Sequence, residues 1–436
     1  PATRNGLPLI AGLTATSIIP GLQIPTESQL KIFATYKDHE LYSPNALAVD
    51  MNGNLLVSET HRLGHCVPST RDHPYWLNDD LRAVTLSDRE NLHQKWNDRY
   101  PITKLTGESD KVRLLADRNK DGIADQSTIY AEGFNDLLDG VAGGAFPLDE
   151  NVYFACIPHI WSLRDTDKDG KADEKKKLLS GFGPRVSLAG HNLKGFALGP
   201  DGRLYGTVGD RALNVSTQEG HRFSYNDQGA VFRFDPDGSN FEVIHNGLRD
   251  PQGVAFDRWG NPVTVESDSG QGDKSRVIYV VEGGDSGWRT GHENLHTFHA
   301  EIGCTQRPVN QWMEERQWDA FHNDQPAFLL PPVGLLTANP AGLSYHPGTG
   351  FPDHLSNCFL LCDNSGTPQS SGIWSFRLER EGAGMKLESP RKLIWGTMAT
   401  DLAFGTDGRL YVCDIVGQND SDRPGRIFTL SSNHPL

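Results

Sequence analysis

His191-Asn-Leu-Lys-Gly-Phe-Ala-Leu-Gly-Pro-Asp-Gly-Arg-Leu-Tyr-Gly-Thr-Val-Gly-Asp210 is the stretch from which the fold can be inferred. Two apolar runs, at 196–198 and 204–208, are separated by the turn Gly199-Pro-Asp-Gly202. Apolar runs joined by a short Pro-Asp-Gly turn predict a β-hairpin. His191 and Asp210 flank this hairpin, so both side chains are expected at the end opposite the turn.

The same hairpin plan recurs along the chain. The five further copies are Ala46–Glu59, Gly140–Phe154, Gly253–Glu266, Gly342–Asp363 and Asp401–Asp414. Turns roughly 50 to 100 residues apart suit four-stranded blades with insertions. We therefore predict an all-β fold, a six-bladed β-propeller with loop insertions. The segment Arg426–Leu430 can close the ring by pairing with the first blade. A β-sandwich with coincidental hairpin similarity is the alternative.

Length and composition fit a single domain over residues 1–436. A propeller of this size is one domain, and the content of 46 glycines and 26 prolines suits short strands and turns. An insertion at about 61–106 interrupts the first blade and contains the best helix candidate, Ser87–Asn97. Such an insertion is either a functional lid or decoration.

The charge distribution excludes some classes of partner. The net charge is −15, and no basic cluster is denser than Lys175-Lys-Lys177. Binding to nucleic acid or to an anionic membrane is therefore disfavoured. No apolar stretch is long enough to span a bilayer, and the sequence starts at Pro1 without a basic-then-apolar leader. We expect no membrane span, and a periplasmic or secreted protein whose export signal has been removed.

The six cysteines are read mainly as buried thiols. Cys156, Cys362 and Cys413 lie in apolar strands, where a free thiol is the usual state. A disulfide between Cys66 and Cys304, both in insertions, is one pairing that remains open. No Cys-x-x-Cys-His motif occurs, so the chain is not expected to carry a c-type haem itself.

Two aspartate loops, Asp117–Asp125 and Asp165–Asp173, predict calcium. Each has oxygen side chains at positions 1, 3, 5 and 9, glycine at position 6, and a backbone carbonyl available at position 7. Hard oxygen ligands at alternate positions suit Ca²⁺. An acidic turn without metal is the alternative. The expected ligands are Asp117, Asn119, Asp121, Ile123 and Asp125 in the first loop, and Asp165, Asp167, Asp169, Lys171 and Asp173 in the second.

Polar residues at the hairpin ends predict a site in the central funnel. A neutral His191 could act there as a general base toward a substrate hydroxyl. Arg249 and Asp250 precede the next hairpin at the equivalent position, and Asp268 lies in the glycine-rich loop after it. Each of these residues alone is as compatible with capping a turn or forming an ion pair as with a function. The functional interpretation therefore depends on their convergence with Asp210.

These motifs resemble the soluble pyrroloquinoline-quinone (PQQ)-dependent glucose and aldose-sugar dehydrogenases, which are six-bladed propellers. The resemblance lies in the His191–Asp210 stretch, Gly247-Leu-Arg-Asp-Pro-Gln-Gly253 and Gly283-Gly-Asp-Ser-Gly-Trp288. Over nearly its whole length the chain is also similar to a bacterial group described as membrane-bound dehydrogenases, in which such a propeller commonly precedes a cytochrome c domain. That similarity is carried by Ser58-Glu-Thr60, Trp76-Leu77, Gly133–Gly140 and Tyr345–Gly350.

The resemblance implies oxidation of a sugar hydroxyl or aldehyde with a PQQ-like quinone. His191 matches the base, Arg249 matches the arginine beside the reactive quinone carbon, and Asp250 replaces an asparagine next to it. Asp210, Arg211 and Asp268 are expected near the cofactor. Gly270 and Gln271 match the carbonyls that hold the cofactor calcium. A cytochrome c is the electron acceptor that the second group implies.

The chain departs from this family where the quinone carboxylates are held. Those dehydrogenases use a lysine of the fifth blade and two arginines of the sixth, whereas this chain has Asp363-Asn-Ser-Gly366 and Met398-Ala-Thr-Asp401. A tricarboxylate facing Asp250, Asp363 and Asp401 with few cations would be penalised electrostatically.

The sequence thus favours a calcium-containing propeller oxidoreductase for a sugar or related alcohol. Two other classes remain open. One is a non-catalytic module that binds carbohydrate or protein, and the other is a metal-dependent hydrolase or lyase with histidine and carboxylates in the funnel.

Overall fold

The structure is a computed structural model that describes residues 10–188, 190–268, 273–289, 302–303, 317, 322, 329–348, 355–417 and 423–432. Three N-terminal strands come first: β1 (Leu13–Ala15), β2 (Gln23–Pro25) and β3 (Ser28–Thr35). Blades 1 and 2 follow as four-stranded antiparallel sheets. Their strands are β4 (Pro44–Val49), β5 (Leu55–Glu59), β6 (Asp110–Ala116) and β7 (Gln126–Phe134), then β8 (Ala142–Leu148), β9 (Asn151–Cys156), β10 (His159–Arg164) and β11 (Glu174–Ser180).

Blade 3 carries an additional hairpin and a short fifth strand that pairs in parallel with its outer edge. Its strands are β12 (Leu193–Leu198), β13 (Leu204–Val208), the hairpin β14 (Leu213–Ser216) and β15 (Arg222–Tyr225), β16 (Gly229–Phe234) and β17 (Glu242–Leu248). Blade 4 contains β18 (Ala255–Phe256), β19 (Pro262–Glu266), β20 (Arg276–Tyr279) and β22 (Gly334–Leu335), while β21 (Gly284–Asp285) joins blade 3.

Blades 5 and 6 each recruit N-terminal strands. Blade 5 is formed by β23 (Pro340–Tyr345), β24 (Phe359–Asp363), β25 (Gly372–Glu381) and β26 (Gly384–Trp395), and β2 and β1 extend it. Blade 6 is formed by β27 (Met398–Phe404), β28 (Leu410–Ile415), β29 (Gly425–Ser432) and β3. All six predicted hairpins are the first two strands of a blade, so the predicted six-bladed propeller is confirmed.

The ring closes differently from the prediction. β29 pairs with β3 from Ser28 to Thr35, and β3 completes blade 6 rather than belonging to blade 1. The prediction that the C-terminal strand joins the first blade was therefore wrong. Since β3 precedes β4 in the chain, it ties the beginning of the ring to its end by a full ladder of backbone hydrogen bonds.

The hairpin turns depend on a repeated aspartate and glycine. Asp50 Oδ1 accepts the backbone N–H groups of Asn52 and Asn54, each at 2.8 Å. Gly53 follows with a φ of 82°, in the left-handed region that a side chain rarely adopts. Asp257 and Gly260 repeat this arrangement in blade 4.

The apolar core lies between neighbouring blades. In one cluster Tyr153 and Ile160 of blade 2 pack with Phe196, Val208 and Phe232 of blade 3. The first strands of all six blades surround a central channel of about 490 Å³. The channel lining is mostly apolar, with Asp401 and Gln252 among its few polar residues. Polar side chains gather instead at the strand ends, which places the candidate site at one end of the axis.

Among the described residues, α-helices occur in the N-terminal region and the insertion. They are α1 (Tyr36–His39), α2 (Leu77–Arg82), α3 (Leu86–Lys95) and α4 (Ile102–Leu105), with single 3₁₀ turns at Pro74–Trp76 and Pro368–Ser370. The helix predicted at 87–97 is confirmed as α3, which starts with a capping box between Thr85 and Asp88. Within the described ranges, no helix is long and apolar enough to span a bilayer.

Cys156, Cys362 and Cys413 are buried free thiols, as predicted. Burial raises the pKa of each thiol well above its usual value, so these cysteines are inert. The proposed partner of Cys66, Cys304, lies outside the described residues.

Candidate functional site

The carboxylate at the end of the second strand is a repeated feature of the blades. Paired register aligns Glu59, Glu266, Asp363 and Asp414 in blades 1, 4, 5 and 6. Each is buried and contacts a side chain of the third strand. Those partners are Arg113, Arg276, Trp374 and Arg426, respectively.

Blade 2 has Cys156 at this position, opposite Ala142, and blade 3 also departs from the rule. Val208 occupies the corresponding position, opposite Leu193, and the acid follows two residues later as Asp210. Asp210 Oδ1 lies 2.7 Å from His191 Nδ1, so the blade carboxylate here orients an imidazole. The hydrogen bond engages Nδ1, which makes Nε2 the ring nitrogen available for proton transfer.

Asp210 also links His191 to the neighbouring blade. Its second oxygen, Oδ2, accepts the indole N–H of Trp288 at 2.8 Å, and its backbone N–H donates to the Arg249 carbonyl at 2.7 Å. Burial raises the pKa of Asp210, but His191, Arg249 and Trp288 outweigh that effect and hold it below its usual value. The carboxylate is therefore ionised at neutral pH.

Arg249 completes the array. Its guanidinium lies over the Trp288 ring, 5.4 Å from the centroid, and its Nη1 is 3.6 Å from Asp268 Oδ1. Its backbone N–H donates to Glu266 Oε2 at 2.6 Å, so the blade 4 carboxylate fixes the segment. His191 and Arg249, distant in sequence, thus meet at one end of the ring.

A cavity of about 300 Å³ lies in front of this array. His191, Lys194 and Asp250 all line it. The ammonium of Lys194 is 3.5 Å from Asp250 Oδ1 and donates to the Gly190 carbonyl at 2.9 Å. The other blades contribute mainly polar residues to the lining, namely Asn45, Thr60, Gln252, Ser267, Asn339 and Asn364.

Gly209 is required for this approach. A Cβ there would lie 2.8 Å from the His191 carbonyl carbon and 2.9 Å from Asp250 Oδ1. Real Cβ atoms do not approach other atoms so closely, so only glycine lets the segments carrying His191 and Asp250 lie side by side.

The other expected site residues are placed as follows. Arg211 donates to Asn192 Oδ1 at 2.5 Å and to the Arg185 carbonyl, in a buried layer behind the cavity. Asp401 lines the central channel rather than this cavity. Gly270 and Gln271 lie outside the described residues.

The sequence interpretation missed Lys194 and the link through Trp288. Lys194 is a single cation within the otherwise apolar strand β12, and that exception was the available signal. Trp288 belonged to a recognised motif, yet its contact with Asp210 depends on how blades 3 and 4 meet.

The two aspartate loops adopt the same backbone arrangement. Gly122 and Gly170 have φ values of 85° and 90° at the predicted turning position. In each loop the first aspartate accepts the N–H of that glycine, at 2.6 and 2.8 Å. In the part of the chain that the structure describes, one group of carboxylates is close enough to share a metal ion, with ligand atoms within 4.8 Å of one another. That group is Asp165, Asp167 and Asp173.

Both loops also join neighbouring blades. The N–H of Ala124 in the first loop donates to the Phe33 carbonyl of β3 at 2.9 Å, across the junction between blades 1 and 6. The equivalent Ala172 in the second loop donates to the Tyr130 carbonyl of β7 at 2.8 Å, between blades 2 and 1.

Comparison with solved structures confirms the resemblance at the level of the fold. A structure titled glucose dehydrogenase has a TM-score of 0.58 at 15% identity, covering 92% of this chain and 99% of its own. The PQQ-bound aldose sugar dehydrogenase of Streptomyces coelicolor has a TM-score of 0.53 at 16% identity, with 94% and 100% coverage. A calcium structure of the carbohydrate-active enzyme family AA12 of Trichoderma reesei has a TM-score of 0.53 at 12% identity, with 97% and 99% coverage.

No curated protein matched the sequence. A family model described as a domain of unknown function, DUF7133, matches residues 16–418. The chain therefore belongs to the DUF7133 family.

Proposed function

We propose that this protein is an oxidoreductase that oxidises a hydroxyl group of a sugar or related polyol with a quinone cofactor of the PQQ class. The observation that carries the proposal is the connected array of His191, Asp210, Trp288 and Arg249 beside a polar cavity. The solved structures of similar fold include sugar dehydrogenases, one of them with PQQ bound.

The residues at and behind the cavity wall fit the reactive end of such a cofactor. His191 lines the cavity and supplies a base. Arg249 is not among the described lining residues; it supplies a fixed cation behind the wall and is linked to His191 through Asp210. For the carboxylates of the cofactor, the cation among the described lining residues is Lys194, on blade 3. Blade 5 contributes Asn339 and Asn364 to the lining instead of a cation. The chain therefore holds its ligand with a different charge arrangement from the one that the resemblance implied.

The chemistry is a two-electron oxidation. A bound quinone would supply the two-electron acceptor for the hydride that leaves the substrate carbon as its C=O bond forms. The hydroxyl proton passes to His191 Nε2. Asp210 holds the ring through Nδ1 and stabilises the imidazolium that results. Arg249 offers positive charge to oxygen atoms that become more negative during the reaction.

The cavity suits a hydroxyl-rich substrate. Lys194 donates hydrogen bonds, whereas Asp250 only accepts them, and the two stand 3.5 Å apart. Asp250 Oδ1 is buried and has no hydrogen-bond donor within the described structure. A sugar hydroxyl both donates and accepts, so a pair of neighbouring hydroxyl groups can satisfy both side chains.

The test is dye reduction by purified protein reconstituted with PQQ and Ca²⁺ and offered a panel of aldoses and polyols. We expect turnover that falls by on the order of 10³-fold in His191→Ala and by about 10²-fold or more in Asp210→Asn. His221→Ala, at an exposed position of blade 3, should leave turnover unchanged. Sugar binding without turnover in the wild-type protein would instead support a carbohydrate-binding module.

We also propose that both aspartate loops bind Ca²⁺ in a structural role, through the ligands that the sequence predicts. The shared backbone arrangement and the carboxylate group in the second loop support this proposal. Periplasmic or secreted location and a cytochrome c acceptor remain proposals that rest on the resemblance to the dehydrogenases.

A further inference from the structure

Four arginines form a buried layer beneath the insertion, which we call the arginine layer. Arg62, Arg89, Arg185 and Arg211 are 0%, 1%, 7% and 3% exposed, respectively. Arg89 comes from α3 of the insertion, whereas Arg185 and Arg211 flank the segment that leads to His191 and the end of the following hairpin. Arg62 also belongs to the insertion, so the layer joins the insertion to the segments that flank His191 and Asp210.

Every hydrogen bond of the arginine layer ends on a neutral oxygen. Arg62 donates to the backbone carbonyls of Leu105, Glu108 and Asp139, at 2.9 to 3.0 Å. The remaining acceptors are the carbonyls of Leu138, Leu81 and Arg185 and the amide oxygen of Asn192.

No carboxylate of the described residues forms an ion pair with these cations. Among the residues that the structure describes, no carboxylate oxygen is within 4.0 Å of a guanidinium nitrogen of the four arginines. Buried arginine is normally paired, because moving an unpaired charge from water into a protein interior costs several kcal/mol. Four such groups together make the deficit larger, because the cations also repel one another.

The nearby acids offset the deficit only in part. Asp80, Asp110 and Asp139 are buried, and their carboxylates are engaged by backbone N–H groups. Burial raises the pKa of Asp110 and of Asp139 to about 6 in each case, which weakens their negative charge but leaves it largely present at neutral pH. Burial and repulsion from Arg211 hold the pKa of Arg89 well below its usual value, although Asp139 and Asp80 oppose this shift. Three acids against four arginines still leave an excess of positive charge.

Several N–H groups of the layer have no acceptor among the residues that the structure describes. Arg62 Nε, Arg89 Nε and both Nε and Nη1 of Arg185 are buried there without a hydrogen-bond partner. The indole nitrogen of Trp76, which packs with Leu92 and Val186 next to the layer, is also without one in the described structure. Unsatisfied donors on three neighbouring cations are the complement of an acceptor that the described residues do not supply.

We propose that the arginine layer holds a small inorganic anion between the insertion and the segment that carries His191. The ligand must be small, because the four arginine residues are at most 7% exposed and the neighbouring Trp76, Leu92 and Val186 form a buried apolar cluster. A halide ion or a similarly small oxyanion accepts hydrogen bonds from several directions and neutralises the excess charge. The site is independent of the proposed function, and its predicted effect is to fix the insertion as a rigid cover.

The direct test is a crystal of the wild-type protein exchanged into bromide, with anomalous data collected at the bromine edge. We expect a peak within hydrogen-bonding distance of Arg185 and Arg89. A resident chloride that does not exchange would give a chlorine signal at the same place and would also support the site. Electron density that fits only water at the unsatisfied donors would overturn the proposal.

A solution experiment tests the energetic consequence. The midpoint of thermal unfolding is measured as chloride replaces gluconate at constant ionic strength, since gluconate is too large for the layer. We expect a saturable rise of several degrees, as ligand binding to the folded state requires. The rise should be lost in Arg185→Gln and kept in Arg222→Gln, a substitution at an exposed position. An equal rise of the unfolding midpoint in both variants would show that general salt screening causes it, and would contradict the proposal.

Discussion

Lys194 is the residue at which this site differs most from the expectation based on resemblance. Its strand, β12, is otherwise apolar, yet the ammonium faces the cavity and approaches Asp250. A buried or half-buried lysine beside an acid is costly to keep unless it has a role, since neither charge is fully hydrated there. We therefore expect it to contact the substrate or the cofactor.

Replacement of Lys194 by methionine tests this role. Because a hydrogen bond from a charged group contributes about 1.5–3 kcal/mol, we expect KM for the polyol to rise roughly 10- to 100-fold. The value of kcat should change much less, since His191 and Asp210 are untouched. Steady-state kinetics on the reconstituted enzyme measure both constants. Lys176→Met, on the exposed face of blade 2, is the matched control, and an unchanged KM in Lys194→Met would exclude the contact.

At the scale of the element, the aspartate loops act as connections between blades. Each loop donates a backbone hydrogen bond to the outer strand of the preceding blade, through Ala124 or Ala172. His39 on α1 adds a second contact at the closing junction, where its Nε2 lies 2.7 Å from the Ala124 carbonyl. A metal ion that orders these loops therefore orders the blade junctions as well.

Removal of calcium should accordingly destabilise the ring. We expect a chelator to lower the unfolding midpoint by several degrees, because a ligand at 100 times its Kd stabilises the folded state by about 2.7 kcal/mol. The substitutions Asp125→Ala and Asp173→Ala should each remove part of the calcium response, as followed by calorimetry. Asp98→Ala, at an exposed position in the insertion, should keep the full response. A midpoint that does not respond to the chelator would refute metal binding by these loops.

The insertion is an anchored element. Asp80 Oδ1 accepts the Val186 N–H at 2.5 Å, and Asn214 donates to the Val84 carbonyl at 2.7 Å. The Thr70 hydroxyl donates to the Ser187 carbonyl at 3.1 Å. These contacts attach the insertion to the segment before His191, which gives it a positioning role and favours a fixed cover over a lid that opens.

At the scale of the whole molecule, Asp401 joins the two ends of the ring. Its Oδ2 accepts the Leu47 N–H at 2.9 Å, a contact between blade 6 and blade 1. Burial raises the pKa of Asp401 to about 7 from the ordinary 3.8, despite the N–H groups of Leu47 and Leu402. The folded protein therefore holds this proton at pH values where the unfolded chain has lost it.

The consequence is a stability that falls as the pH rises from about 4 to 7. In that range Asp401 ionises only in the unfolded state, which lowers the free energy of unfolding by at most about 4 kcal/mol. We expect Asp401→Asn to gain stability relative to the wild type between pH 4.5 and 7.5, as measured by urea unfolding. Glu381→Gln, an exposed substitution on blade 5, should show no such trend. A stability difference that is independent of pH would contradict the elevated pKa.

The sequence by itself determined the number of blades, the position of the first hairpin of each blade and the helix in the insertion. Alternation of apolar runs and Asp-Gly turns is a local property, because a turn forms from the conformational preferences of a few consecutive residues. For the same reason the glycine positions of the aspartate loops were correct. That His191 and Arg249 lie in one region, linked through Asp210, agrees with the symmetry argument that equivalent hairpin ends converge once the ring exists.

Only the tertiary structure decided which side chains meet across blades. Four features depend on strand register between distant segments. They are the displacement of the blade 3 acid from position 208 to Asp210, the hydrogen bond of Asp210 to Trp288, the contact of Lys194 with Asp250, and the pairing of β29 with β3. The same holds for the arginine layer, whose members are scattered from Arg62 to Arg211 and look like ordinary surface residues in the sequence. Burial, which makes their charge consequential, exists only after the blades and the insertion have packed together.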